Sequence, residues 1–90
     1  MDRDLVYPIV DKFIKLINSE YPIYINLILV SLEEKHCYKD NYYQIEILIE
    51  INDYRRIEYF DVYFDQFIDF NSIYEQTHLI IGEMLEQIGI

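Results

Sequence analysis

Tyr43-Gln44-Ile45-Glu46-Ile47-Leu48-Ile49-Glu50-Ile51 is the stretch on which the reading of this chain turns. Every odd position is apolar, and the even ones are polar or acidic except Leu48. A period of two predicts a β-strand with one face in a core and the other outside it. Ile45, Ile47 and Ile49 then point inward, and Gln44, Glu46, Leu48 and Glu50 point outward.

Working outward, Asn52-Asp53-Tyr54-Arg55 reads as a tight hairpin, because Asn and Asp tolerate left-handed backbone. A third strand should run from Arg56 to Phe64. A two-residue loop at Asp53 and Tyr54 would set Ile47 opposite Phe60, Ile45 opposite Val62, and Glu46 opposite Asp61. Phe60, Val62 and Phe64 then face the core. A slip of one residue would send Asp61 inside, which the parity of the strand forbids.

On the other side, the charged residues from Glu33 to Asn41 read as a loop. Ile23 to Leu32 reads as the first strand. Ile23, Ile25, Leu27 and Leu29 should face inward, since the opposite choice would bury Asn26. Tyr24, Ile28, Val30 and Leu32 fall on the outer face.

Both ends of the chain have helical spacing. Leu5, Val6, Ile9, Val10, Phe13, Ile14 and Ile17 recur at three and four and predict a helix over about Asp4 to Asn18. Pro8 suits only a first turn, so the helix proper is expected to begin there. After an acidic bend at Asp65 to Asp69, a second helix is expected from Ser72 to Ile88. Ser72 and Glu75 would make a capping box, with Asn71 as the rival cap. Its buried stripe is Ile73, Thr77, Ile80, Ile81, Met84 and Ile88. Gly82 weakens its middle, and Gly89 is placed to end it.

The expected architecture is a single two-layer α+β domain over residues 1–90, in the order α-β-β-β-α. Its sheet is an antiparallel meander with both helices on one face. That order of elements resembles the double-stranded-RNA-binding domain. The basic residues that such a domain places at the start of its second helix are replaced here by Ser72, Glu75 and Gln76, so the resemblance implies the fold and not RNA binding.

The 90 residues are 52% hydrophobic, enough for one core without staples. A single cysteine, Cys37, excludes an intrachain disulfide and fits a reducing compartment. Asp2, Arg3 and Asp4 stand where an export signal would be basic. The charge-free run from Tyr21 to Leu32 is too short to span a bilayer. A cytoplasmic protein with no membrane partner is expected. Ten Tyr, seventeen Ile and no Ala are the composition of an AT-rich coding genome, such as a low-GC bacterium or its phage, whose host cytoplasm would then be the site of action.

Seventeen acids against seven bases give a formal charge of −10. From Ile57 to Ile90 there are seven acids and no Lys or Arg. Contact with a phosphate backbone needs cations, so no direct nucleic-acid partner is expected. A protein with a basic surface is the expected partner.

The sequence offers little chemistry. His36 and Cys37 are adjacent soft ligands with only His78 to help, short of a zinc site. Neighbours on a strand point apart, which rules against a Cys–His nucleophile pair. His78 reads as a flank residue of the second helix. Glu46 and Asp61 on an open face lack the burial that an acid–base dyad requires. There is no Gly-rich phosphate loop. No catalytic residue, cofactor or metal is expected, and the chain reads as a non-enzymatic binding module.

What remains is the outer sheet face. Glu46, Leu48, Glu50, Tyr59, Asp61 and Tyr63 form the candidate partner-binding set. Tyr24, Ile28 and Val30 form a candidate self-association set, because an uncharged edge strand invites pairing with another chain. In size, charge and composition the chain is similar to small acidic phage inhibitors of host defence, including anti-CRISPR proteins, and to toxin-immunity proteins. The resemblance implies an inhibitor that presents carboxylates where nucleic-acid phosphates would lie. A structural homodimer or assembly adaptor is the other expectation.

Overall fold

The computed structural model describes residues 3–37, 40–63 and 70–89; the side chains of Arg3, Leu5, Cys37, Asp40, Asn41, Tyr63, Phe70 and Ser72 lie outside the description. The elements are helix α1 (Arg3–Ser19), strands β1 (Ile25–Cys37), β2 (Asp40–Ile51) and β3 (Tyr54–Tyr63), and helix α2 (Phe70–Ile88). The strands form one antiparallel sheet in the order β1-β2-β3, so the alternating stretch is the central strand.

The period of two does what it predicts. Tyr43, Ile45, Ile47, Ile49 and Ile51 are all buried, and their even-numbered neighbours are less so. Val6, Val10, Ile14 and Ile17 of α1, with Ile73, Ile81 and Met84 of α2, join them in one hydrophobic cluster. Both helices therefore cover the same face of the sheet. Each buried aliphatic side chain in that cluster contributes about 1.5–3 kcal/mol.

Four expectations need correction. The turn between β2 and β3 is Asn52-Asp53, with Asn52 in the left-handed region (φ 54°). Placing the left-handed residue one position earlier shifts the register by two. Ile47 faces Glu58, Ile45 faces Phe60, and Tyr43 faces Val62. A shift of two preserves the faces, so Phe60 and Val62 remain buried. Glu46 now faces Tyr59, and Asp61 faces Gln44. The carboxylates of Glu46 and Asp61 are not opposed.

Second, β1 runs on to Cys37, and β2 begins at Asp40, through the region expected to be a loop. Glu33, Glu34 and Lys35 pair in ladder with Gln44, Tyr43 and Tyr42. Charge misled there, because ladder bonds are made by the backbone whatever the side chain.

Third, the inward and outward sides of β1 change along its length. Leu29 pairs with Ile47, and the next pair is Ser31 with Glu46, leaving Val30 as a bulge. The extra residue reverses the parity. Leu32, expected outside, is buried, while Ile23, expected inside, is 96% exposed ahead of the strand.

Fourth, both helices start earlier than expected. α1 starts at Arg3 and passes through Pro8 as its sixth residue. Val6 and Val10 on either side are buried and hold their turns against the sheet, so packing outweighs the missing amide. α2 starts at Phe70, which places Ser72 and Glu75 inside the first turns rather than at a cap. The acidic bend from Asp65 to Asp69 and the inward assignment of Phe64 lie outside the described residues. Gly89, with φ 81°, ends α2, its N–H bonding the carbonyls of Leu85 and Glu86.

One contact bears on self-association. The Asn18 amide, at the end of α1, donates to the Leu27 carbonyl at 2.8 Å and accepts from the Leu27 N–H at 2.7 Å. The Ile25 N–H donates to the Pro22 carbonyl at 3.0 Å. The side-chain amide thus occupies the free edge of β1 as another strand would, closing that stretch to β-pairing. Asn18→Ala leaves both Leu27 groups without their partner, and a loss of about 1–3 kcal/mol is expected in a denaturant titration.

Candidate functional site

The face of the sheet turned away from the helices is organised in rows across the three strands. Pairing places Ile28, Leu48 and Ile57 side by side as an apolar row. Toward the β2–β3 turn lies the row Asn26, Glu50 and Arg55. In the opposite direction lie Ser31, Glu46 and Tyr59, then Glu33, Gln44 and Asp61. Successive rows on one face are about 7 Å apart, so Glu46 and Glu50 flank Leu48 with about 13–14 Å between them.

The face is open. Ile28 is 44% exposed, Ile57 49% and Val30, on the bulge, 50%. Leu48, on the central strand, is half-buried between its neighbours. Apolar side chains left in water as a contiguous group are a feature of interaction surfaces.

The carboxylates around that row are held rather than loose. The Ser31 hydroxyl donates to Glu46 Oε1 at 2.9 Å, and the Tyr59 hydroxyl donates to Glu46 Oε2 at 3.3 Å. The negative charge of Glu46 raises the Tyr59 phenol above its ordinary value, which keeps Tyr59 a donor further into the alkaline range. Glu50 meets Arg55 at 3.7 Å, and Glu33 meets Lys35 at 3.0 Å. These exposed pairs are worth little to stability, and their acids can exchange a cation of this chain for one of another. Asp61 is exposed.

Of the outer-face residues singled out in the sequence, Ile28, Glu46, Leu48, Glu50, Tyr59 and Asp61 fall in these rows, Val30 stands on the bulge beside them, Tyr24 is exposed just ahead of β1, and Leu32 is buried. The backbone of Tyr63 pairs with Tyr42, and its side chain lies outside the description. Sequence reasoning missed Ser31, because the bulge that turns it toward Glu46 has no marker such as Gly.

It also missed a second gathering of polar groups, on the helix side. The Tyr21 hydroxyl and His78 Nδ1 are hydrogen-bonded, and the Tyr74 hydroxyl donates to Glu20. His78 Nε2 stands 3.8 Å from Glu20 Oε2, and the His78 ring packs edge-on to Tyr74 with centroids 4.3 Å apart. Glu20 and Tyr21 lie far in sequence from Tyr74 and His78, and no motif links the two pairs, so the cluster had no sequence signal. It ties the end of α1 to α2.

Burial raises the Tyr21 phenol, and the hydrogen bond to Glu20 raises that of Tyr74. A phenol held above its ordinary value near 10 keeps its proton in the folded chain after the unfolded chain has lost it. Its stabilisation is complete below that ordinary value and disappears as pH rises through the folded one. Stability should therefore fall in the alkaline range, more steeply for the wild type than for a Tyr21→Phe, Tyr74→Phe double variant. Thermal melts at stepped pH check this.

His36 is exposed, with Nε2 4.0 Å from Glu34 Oε1, and the Cys37 side chain lies outside the description. Among the described residues no three of His, Cys, Asp or Glu are grouped to hold a metal ion. Among them, too, no helix is long and apolar enough to cross a membrane. No protein-family model, curated protein or solved structure matches the chain.

Proposed function

We propose that this is a non-enzymatic protein-binding module whose outer sheet face docks on a basic surface of another protein. The observation that carries this reading is the apolar row Ile28–Leu48–Ile57, uncovered by either helix and flanked by Glu46 and Glu50. The apolar row supplies contact area, and the carboxylates supply sign. Glu46 is aimed in advance by Ser31 and Tyr59, so little ordering is needed when a Lys or Arg arrives.

A natural target of this chemistry is a groove that otherwise binds nucleic acid, where Lys and Arg wait for phosphates. Occupying it makes the chain an inhibitor and a mimic of nucleic-acid charge, in the manner of phage anti-defence proteins. The cytoplasm, where a single thiol stays reduced, is the compartment that fits.

Affinity capture from a bacterial lysate at low salt, followed by elution on a salt gradient, tests the proposal. Partners that carry a basic surface and leave as salt rises support it, because screening weakens exposed charge pairs. Partners held equally well at high salt by wild type and by a Glu46→Gln, Asp61→Gln double variant would contradict it.

A further inference from the structure

The outer sheet face also sets the shape of what docks on it. Its apolar side chains run across the strands and not along them. On β2, Leu48 stands between Glu46 and Glu50; on β3, Ile57 stands between Arg55 and Tyr59. Neighbouring strands lie about 4.8 Å apart, so Ile28, Leu48 and Ile57 make a stripe about 10 Å long and one side chain wide. An element laid along the strands would set its apolar groups on carboxylates. One laid across them keeps the two kinds of contact apart.

Spacing selects the element. Residues i+3 or i+4 and i+7 of an α-helix stand about 4.5–6 Å and about 10.5 Å beyond residue i on one side, which matches the stripe. Side chains on one side of an extended segment recur at about 6.8 Å, and three of them overshoot it. A sheet face also offers no backbone groups to pair with. The occupant's own N–H and C=O groups must already be satisfied, as they are within a helix.

Charge then selects a side. Toward the β2–β3 turn, Glu50 is matched by Arg55 at 3.7 Å. In the opposite direction stands Glu46, held by the uncharged Ser31 and Tyr59. Beyond it lie Asp61 and Glu33, of which Glu33 meets Lys35. One flank of the stripe is close to neutral, and the other is negative.

We propose, on the docking role given above, that the occupant is a single amphipathic α-helix of the partner, lying across the three strands. Its apolar stripe rests on Ile28, Leu48 and Ile57, and its Lys or Arg side chains gather on the flank that faces Glu46 and Asp61. In a nucleic-acid-binding protein, these are cations that otherwise meet phosphates.

Three synthetic peptides of one Leu, Lys and Ala composition, titrated at low salt into the isotope-labelled chain, provide the test. One is a helix with Leu along a stripe and Lys along one flank, one alternates Leu and Lys as a strand would, and one is a scramble. The helix should bind at least about tenfold more tightly than the other two. A nitroxide at one end of it should broaden the signals around Ile28 or those around Ile57, and a nitroxide at the other end the opposite set. Glu46→Gln should weaken it by about fivefold or more, while Glu50→Gln combined with Arg55→Gln should leave its affinity within about twofold. Equal losses from the two would overturn the choice of flank. Broadening at Asp53 from one end and at Tyr42 from the other would set the helix along the strands and overturn its placement. Equal, salt-sensitive binding of all three peptides on the sheet face would overturn the helix while leaving docking on a basic surface standing. Binding of none of them there would remove both.

Discussion

Ile47→Ala is expected to lower the stability of the folded chain by about 2–5 kcal/mol, the range for truncating a buried aliphatic side chain. Ile47 is 1% exposed at the middle of the central strand, between Leu29 on β1 and Glu58 on β3. Removing its methyl groups leaves a cavity under the sheet where the core cannot collapse without moving a strand. A domain of this size has about 5–15 kcal/mol in all, so the loss is a large share of it. Urea titration with an unchanged slope should show the midpoint fall accordingly. A loss below about 1 kcal/mol would mean that the faces of β2 are assigned backwards.

Leu48→Arg, one residue along, should do the reverse. The side chain points to the other face, so the fold should survive with a melting temperature close to the wild type's. The long stem of Arg can cover the same neighbours that Leu48 covers. Binding should suffer instead. On the proposed function, a cation set between Glu46 and Glu50 would cancel the sign of the surface and face the cations of the proposed partner. A loss of at least about 2 kcal/mol, or about 30-fold in affinity, is expected. Isothermal titration with a captured partner measures it. Unchanged affinity would remove the apolar row from the interface.

These two neighbours show what was legible in the sequence. Alternation over residues 43–51 gave both faces of β2, because a buried face imposes period two on whatever sequence occupies it. The same constraint made the parity of β3 safe even where its register was wrong. Register depends on which residue takes the left-handed turn, and Asn52, Asp53 and Tyr54 offer no Gly to settle it. The bulge at Val30 was invisible for a related reason. Val is a good strand residue, and nothing in its side chain marks a residue left out of the ladder. Leu32 was thereby assigned to the outer face, and Ser31 was overlooked as a partner of Glu46.

The helices were legible in their buried stripes and not in their limits. Spacing named Ile73, Thr77, Ile81 and Met84 correctly, while Pro8 and Ser72 were read as local signals that tertiary packing overrode. The Glu20–Tyr21–Tyr74–His78 junction lay beyond reach, since it exists only once α1 and α2 are side by side.

The corrected register changes the meaning of Glu46. Facing Asp61, it would have been a source of strain kept for binding. Facing Tyr59 and bonded to Ser31, it is a satisfied carboxylate with lone pairs to spare, ready for a cation. Its value to a docking surface no longer depends on a cost to the fold.

The most direct test of that docking surface is amide and methyl chemical-shift mapping of the labelled protein against a synthetic amphipathic helix of Leu and Lys. The account predicts salt-sensitive shifts at Ile28, Glu46, Leu48, Ile57 and Tyr59, with α1 and the core unmoved. Shifts confined to α2, or none on the sheet face at low salt, would contradict it.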